Sequence, residues 1–209
     1  MADPHTRQYS HIGGNPAELL DRVAVSELCK GWPSGAQTID DFIRISIEGK
    51  KMGAFIMHRE CGTLVELNRA ANRAVGKMKA TITQRFKHRE GFEYDVDCDC
   101  RFIFFCEKEK VDDAGDGYGR RDGEAAFVKL VYEKDKVVPV DGISAPVFAD
   151  EVLARYPTGY KYLGAAQNTL GYDIDIKLVT GYDLGSCEKM YRSMESWLAG
   201  EQGTVGLFI

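Results

Sequence analysis

Two long stretches with a two-residue period constrain this chain most strongly. Val75–Phe86 and Phe92–Glu107 each alternate between two kinds of side chain, and the polar segment Lys87–Gly91 separates them. A short polar loop that contains glycine, set between two alternating stretches, is typical of a β-hairpin. Strands of this length predict a β-sheet as the frame of the fold.

The alternation also assigns each side chain of the hairpin to a face. We call the largely apolar face the inner face: it carries Met78, Ala80, Ile82, Gln84, Phe86, Tyr94, Val96, Cys98, Cys100, Phe102 and Phe104. The opposite, outer face carries Lys77, Lys79, Arg85, Asp95, Asp97 and Asp99. We expect cation–anion pairs there, worth about 0.2–1 kcal/mol each. Because the acids stand in a row along one strand, they are a poor fit for a calcium or magnesium site.

Two helices are predicted before the hairpin. The first covers Ala17–Lys30, with apolar residues at helical spacing and Pro16 suited to its first turn. The second covers Thr38–Gly49, with a threonine cap, acidic residues in its first turn and a glycine at its end. Residues 1–15 are polar and are predicted to form an arm.

The remaining elements define the fold class. A strand over Gly53–Asn68, bent at Gly62, precedes the hairpin, and a strand over Ala125–Glu133 follows an exposed loop at Lys108–Gly123. Three further helices are predicted at Val147–Tyr156, Tyr160–Leu170 and Glu188–Ala199. This order predicts an α+β protein, with helices on one face of an antiparallel sheet of at least four strands.

Composition narrows the function classes. The chain has 209 residues, a net charge of −5 and no apolar run near the roughly 20 residues that a bilayer span needs. The acidic balance argues against nucleic acid as a partner and favours a small ligand. Six scattered cysteines are expected to be thiols without a metal, and an N-terminus without a signal-like pattern favours the cytoplasm.

His58 is the histidine with the strongest functional signal. It stands in the middle of a predicted strand, on the same face as Ile56 and Glu60. An imidazole has an ordinary pKa of about 6.5, which suits proton abstraction near neutral pH. The same position also fits a core histidine that hydrogen-bonds to backbone groups, and the residues alone slightly favour that interpretation.

Several stretches resemble a known family. They read GAFIMHRECGTLVELN (53–68), RAVGKMKATITQRF (73–86), VDCDCRFIFFCEK (96–108), AFVKLVYEKDKVVPVDG (126–142) and RYPTGYKYLGAAQNTLGYDI (155–174). With the two helices before them, they resemble the SnoaL-like branch of the nuclear-transport-factor-2-like superfamily, and its fungal members most. The resemblance covers roughly residues 17–178, which predicts a core domain at 16–178 between the arm and a helical tail at 179–209.

The resemblance implies a fold and a chemistry. Family members fold as a cone of curved antiparallel sheet, closed by helices around an apolar pocket. Relatives include polyketide cyclases, scytalone dehydratase and a hexachlorocyclohexane dehydrochlorinase. In the latter two a strand histidine acts as the base beside a carboxylate, and His58 matches the position of that histidine.

The chain departs from the family pattern after the first helix. Family members have an acidic residue, a short helix and a first strand there, whereas this chain has only Pro33–Gln37. The usual histidine–aspartate pair therefore cannot be completed by position. Asp40, Asp41 and Glu60 are the candidate replacements, and the alternative is a site without catalytic competence.

The missing segment leaves one side of the cone open, so we expect the apolar tail or a second subunit to cover it. The predicted substrate-binding residues are Trp32, Met78, Gln84, Phe86, Tyr94, Phe102, Tyr132, Tyr160 and Gln167. Residues of these types are more often part of a core than ligand contacts. The pattern does not decide which face of the sheet Tyr132 lies on.

The expected function is that of a cofactor-independent lyase or isomerase, similar to a dehydratase or cyclase of secondary metabolism. His58 would abstract a proton from a small aromatic or polyketide-like metabolite, with Asp40 or Glu60 as the acid. No metal or other cofactor is expected, and a homodimer is possible. The alternative is a binding or interaction protein on the same fold that does not convert its ligand.

Overall fold

The computed structural model describes residues 14–30, 44, 47–48, 50–51, 53–111, 115–119, 127–140 and 148–201. Its helices are α1 (Pro16–Lys30), α2 (Asp150–Leu153), α3 (Lys161–Thr169) and α4 (Leu184–Ala199). Its strands are β1 (Phe55–Asn68), β2 (Arg73–Lys87), β3 (Glu93–Val111), β4 (Gly115–Gly119) and β5 (Phe127–Pro139). The α+β class predicted from the order of elements is confirmed.

All five strands form one antiparallel sheet. Its order is β1-β2-β3, with β4 and β5 both paired to the far side of β3. The predicted hairpin is confirmed, with Val75 opposite Phe105 and Phe86 opposite Tyr94. Two irregularities bend the ladder, one in β1 between Glu60 and Thr63 and one where β5 passes Asp99.

Helix α1 covers one end of the inner face. Its N-terminus carries a reciprocal cap, in which the Glu18 backbone N–H donates to Asn15 Oδ1 and the Asn15 N–H donates to Glu18 Oε2, both at 3.0 Å. Val25 and Cys29 are fully buried against the sheet. They join a core cluster whose sheet members are Val65, Leu67, Ala74, Met78, Ala80, Cys100, Phe102, Phe104 and Cys106.

Helix α3 covers the other end of the inner face. It contributes Leu163 and Ala166, and Tyr160 just before it, to a second cluster. The sheet contributes Phe86, Tyr94, Val96 and Cys98 to the same cluster. The inner face is therefore largely apolar along its length, as the alternation predicts. Among the described helices, α1 covers one end of this face and α3 covers the other.

Helix α4 packs on the outer face, and this corrects two expectations. Met190, Met194 and Trp197 pack against Val75 and Phe105, together with Ile103, Val131 and Leu198. The prediction that the helices lie on one face is wrong, because the outer face is apolar at this end and needs its own cover. This part of the tail therefore does not close the open side of the inner face.

The charge ladder on the outer face is confirmed in part. Arg85 forms a bidentate pair with Asp95, at 2.8 and 3.0 Å. Lys77 instead pairs with Glu66 at 2.8 Å, because the register places Ile103 opposite Lys77 on β3. Asp97 pairs with Arg59 at 3.1 Å, a cation supplied by β1.

The segment predicted as a loop at Lys108–Gly123 differs from the prediction. Strand β3 continues to Val111, and Gly115–Gly119 pairs with it as β4. Backbone pairing with a long neighbouring strand overrides the low strand propensity of glycine and aspartate. Strand β5 also continues past Glu133, to Pro139.

Three helix boundaries differ as well. α4 begins at Leu184, earlier than predicted, because the Asp183 carboxylate accepts the Ser186 N–H at 3.1 Å and caps it there. α2 is only four residues long, and Pro157 follows it closely. Most of the predicted helix at Thr38–Gly49 lies outside the described residues; Lys50 and Lys51 are helical, so helical residues extend past the predicted end.

Candidate functional site

His58 lies on the inner face, in β1, which is an edge strand among the described strands. It pairs with Ile82 of β2, and its ring meets the Phe102 ring edge-on, with centroids 6.1 Å apart. The side chain is half-buried, whereas Ile56 and Glu60 on either side of it are exposed. Among the residues that the structure describes, the inner face is therefore exposed on this side, with the imidazole at the boundary.

The surroundings of His58 hold the imidazole neutral. Burial lowers its pKa below the ordinary 6.5, because a desolvated ring disfavours the charged form. Within the described residues no carboxylate hydrogen-bonds to the ring. A neutral imidazole at pH 7 can accept a proton at one ring nitrogen, which is the chemistry of a general base.

Glu60 shares the inner face with His58 but is directed elsewhere. It is exposed, and its Oε1 accepts a hydrogen bond from Thr63 Oγ1 at 2.8 Å across the bulge. Gly62 in that bulge has φ of +112°, a conformation that glycine tolerates best. The other two predicted acids, Asp40 and Asp41, lie outside the described residues.

Gln84 and Gln167 are brought together by the fold. The Gln167 Nε2 of α3 donates to Gln84 Oε1 of β2 at 3.0 Å, in a part-buried position. This bond uses the Gln84 oxygen and leaves its amide nitrogen as a donor beside the strand pair that carries His58. Gln84 lies opposite Ile56, one inner-face position from the Ile82 that pairs with His58.

The other predicted binding residues lie deeper. Phe102 and Met78 are buried below His58 in the α1 cluster, while Phe86 and Tyr94 are buried in the α3 cluster. Trp32 lies outside the described residues. These positions suit the walls and floor of an apolar site, and among the described residues of this group Phe102 alone has a ring contact with His58.

The two remaining candidate tyrosines, Tyr132 and Tyr160, point inward. Tyr132 lies opposite Cys100 of the inner face, and its ring is 4.9 Å from that of Tyr160. Burial raises the pKa of Tyr132, and raises that of Tyr160 to about 12, so both stay protonated at pH 7. The Tyr160 hydroxyl cannot donate to a ligand as well, because it donates its proton to the Asp175 backbone carbonyl at 2.8 Å.

Asp135 is a buried acid that the sequence reasoning missed. It lies on the inner face opposite Cys98, and its Oδ2 accepts the Leu163 backbone N–H at 2.8 Å. Burial raises its pKa to about 6, although backbone N–H groups of α3 and Lys161 lower it in part. A signal existed in the alternating run Lys134–Val138, because counting back from the apolar Val137 places Asp135 inside and both lysines outside.

The described residues do not form a metal centre. No group of three or more histidine, cysteine, aspartate or glutamate side chains there is arranged to hold a metal ion. Cys98 and Cys100 are buried on the inner face, as predicted, and burial raises the pKa of both thiols. A raised pKa keeps a thiol protonated and unreactive.

Fold and site together define an α+β protein with one antiparallel sheet, helices on both faces and a half-buried imidazole on the inner face. No family model matches the chain. A PEP2-like protein of Fusarium vanettenii is 36% identical over 88% of each chain, and the pea pathogenicity protein 2 of that fungus is 36% identical over 90% of each chain. An uncharacterized protein of Emericella nidulans is 37% identical over 94% of each chain. The chain therefore belongs to the fungal pea pathogenicity protein 2 family.

The expected fungal kinship is thus confirmed. Among the described residues, no helix is both long and apolar enough to cross a bilayer.

Proposed function

We propose that this protein is a cofactor-independent lyase or isomerase on a SnoaL-like cone fold, with His58 as its base. The observation that carries the proposal is the neutral, half-buried imidazole at the open side of an apolar inner face. The long antiparallel sheet, bent at two bulges and covered by helices, supports the cone fold.

The proposed substrate is a small aromatic or polyketide-like ketone. The half-buried Ile82 and the exposed Ile56 offer apolar surface beside the imidazole, which suits a flat ring. A carbonyl oxygen on that ring would accept a hydrogen bond from the Gln84 amide nitrogen. A relative bears the name pea pathogenicity protein 2, which links that protein to pathogenicity toward pea.

The proposed reaction begins with a proton transfer. A neutral ring nitrogen of His58 takes a proton from the carbon next to the carbonyl. The electrons of that C–H bond form a C=C bond, and the carbonyl π electrons move to the oxygen, which gives an enolate. Hydrogen bonding from Gln84 stabilises the developing negative charge. The imidazolium then returns the proton to another carbon in an isomerase, or protonates a departing hydroxyl in a lyase.

Deuterium exchange tests the first step without knowledge of the product. The protein is incubated with 1-tetralone in D₂O, and NMR follows the loss of signal at the carbon next to the carbonyl. We expect the exchange catalysed by wild type to fall by about 10²-fold or more in His58→Gln, as for loss of a general base. His88→Gln is the matched control, because His88 lies in the hairpin loop stacked on Phe92. Equal exchange in wild type and His58→Gln would exclude His58 as the base.

A second candidate function is binding without conversion. One observation favours it: within the described residues no carboxylate orients the His58 ring, as an efficient histidine base usually requires. In that case 1-tetralone perturbs the NMR signals of His58 and Gln84, while its exchange rate stays at the rate without protein. The same sample therefore separates the two functions.

A further inference from the structure

Helix α3 is attached to the sheet by a polar side chain near each end. Asp135 of β5 accepts a hydrogen bond at its N-terminal end, and Gln84 of β2 accepts one from Gln167 near its C-terminal end. We propose that Asp135 is a positioning residue, which holds α3 so that Gln167 fixes the amide of Gln84 beside His58. The consequence for catalysis rests on the proposed function, whereas the link from Asp135 to Gln84 does not.

The N-terminus of α3 depends on Asp135 for its cap. The residue at the cap position, Tyr160, makes no side-chain hydrogen bond to the helix. The Asp135 carboxylate supplies the missing acceptor from the neighbouring strand, and the Leu163 N–H that it binds is buried. A carboxylate is also favoured at this end of a helix by the helix dipole.

The short helix connects the two attachments directly. Gln167 follows Leu163 by four residues, so both lie on the same side of α3, one turn apart. Between them, Ala166 is fully buried against the sheet in the cluster that contains Val96. A displacement of the helix at Leu163 would therefore be carried to Gln167.

The surroundings of Asp135 allow its carboxyl group to change protonation state at mildly acidic pH. The residue is only 8% exposed, and its Oδ1 has no hydrogen-bond partner within the described residues. Burial raises its pKa to about 6. The titratable or charged groups around it are Cys98 of β3, Tyr132, Lys134 and Lys136 of β5, and Tyr160, Lys161 and Tyr162 at the start of α3.

Below pH 6 the neutral carboxylic acid binds the Leu163 N–H less strongly than the carboxylate does. The hydrogen bond at the start of α3 therefore changes on protonation, although burial makes the neutral acid the more stable form in the folded protein, and the environment of the Gln84 and Gln167 amides should change with it.

The test follows the side-chain amide signals of Gln84 and Gln167 by NMR between pH 4.5 and 7.5. The protein carries His58→Gln, so that titration of the imidazole does not contribute. We expect both signals to shift with a midpoint near pH 6, as set by the pKa of Asp135. In Asp135→Asn, which keeps an acceptor for Leu163 but cannot ionise, the shifts should vanish. Glu133→Gln is the matched control on the same strand, because Glu133 pairs with Arg101 on the outer face.

Two results would overturn the proposal. One is the absence of any amide shift near pH 6 in the parent protein. The other is a shift that persists in Asp135→Asn, which would make Asp135 a local cap alone. Exchange of 1-tetralone, measured in the otherwise unmodified protein, tests the catalytic proposal separately. If the amide signals titrate but the protein does not catalyse exchange, the link from Asp135 to Gln84 stands and the proposed enzymatic function fails.

Discussion

The two faces of the sheet differ in how they treat polar groups. On the outer face, α4 covers a cluster of apolar side chains, and the charged residues beside it are paired at the surface. On the inner face, α1 and α3 cover an apolar core, and the same face carries a half-buried histidine, a glutamine pair and a buried aspartate. An apolar cluster covered by a helix, with ion pairs at the surface, is sufficient for the stability of a sheet. The polar groups of the inner face are therefore the candidates for function.

The polar groups of Trp197 and Arg73, under α4, serve packing. The Trp197 indole N–H donates to the Cys106 carbonyl at 3.3 Å, and the Arg73 guanidinium lies 4.1 Å over the Trp197 ring. Arg73 also donates to the carbonyls of Trp197 and Glu201. Each of these groups has a partner, as expected for a structural interface.

The inner-face groups are instead shifted toward their neutral forms. Burial lowers the pKa of His58 and raises the pKa of Asp135 to about 6. Both shifts mean that the folded protein disfavours the charged group, which is unfavourable for stability at some pH. Perturbed groups of this kind cluster at functional sites.

The largest effect on stability is expected on the outer face. Trp197→Ala removes a side chain that is 8% exposed and that packs edge-on against Phe105. We expect the free energy of unfolding to fall by about 3–5 kcal/mol, as for large core truncations. Urea unfolding followed by circular dichroism measures it.

Tyr191→Ala on the same helix is the control. Tyr191 is 39% exposed, and we expect its truncation to lower the free energy of unfolding by less than about 1 kcal/mol. The His58 pKa, measured by NMR, should be unchanged in both variants. A shifted His58 pKa in folded Trp197→Ala would show that the two faces are not independent.

A smaller effect is expected from Asp135. Its folded pKa of about 6 lies above the unfolded value of 3.8, so the folded state binds the proton more tightly. Its contribution to the free energy of unfolding is therefore greatest below pH 3.8 and is lost as pH rises through 6. The difference of about two pKa units corresponds to about 3 kcal/mol.

Asp135→Asn should remove this slope. We expect the wild-type free energy of unfolding to fall between pH 4 and 6 relative to that of the variant, by up to about 3 kcal/mol. Urea unfolding at several pH values measures the difference, and Glu133→Gln again serves as the control. Parallel pH profiles for wild type and Asp135→Asn would mean that Asp135 has an ordinary pKa.

The smallest effect is expected for the outer-face pair of Arg85 and Asp95. A double-mutant cycle with alanine at both positions should give a coupling of about 0.2–1 kcal/mol, because both side chains are partly exposed. Molar NaCl should reduce the coupling. A coupling of several kcal/mol would contradict the description of this face as a solvated ion-pair surface.

The hairpin and the apolar inner face were predictable, because the two-residue period follows directly from strand geometry. Asp135 was harder to place: counting forward from Tyr132 fails, since the bulge opposite Asp99 shifts the alternation between them, and only counting back from Val137 places Asp135 inside. The position of α4 on the outer face was not predictable either. The outer-face residues Ile103 and Phe105 belong to one continuous apolar run in the sequence, so the alternation does not reveal that the outer face is apolar there.

The site was predictable in part. His58, Gln84 and Gln167 were named from their positions in the pattern, and the fold brings the two glutamines together. Which amide atom of Gln84 stays available was not predictable, because it depends on the contact across the sheet with α3. The part played by the acids Asp40 and Glu60 in the reaction stays a prediction.

The pH dependence of 1-tetralone exchange tests the base role of His58 most directly. Only the neutral imidazole accepts a proton, and burial places its pKa below 6.5. We expect the exchange rate to rise with pH through a midpoint below 6.5, equal to the His58 pKa found by NMR, and to stay level above it. A rate that is independent of pH in this range, or a midpoint that remains in His58→Gln, would contradict the assignment of His58 as the base.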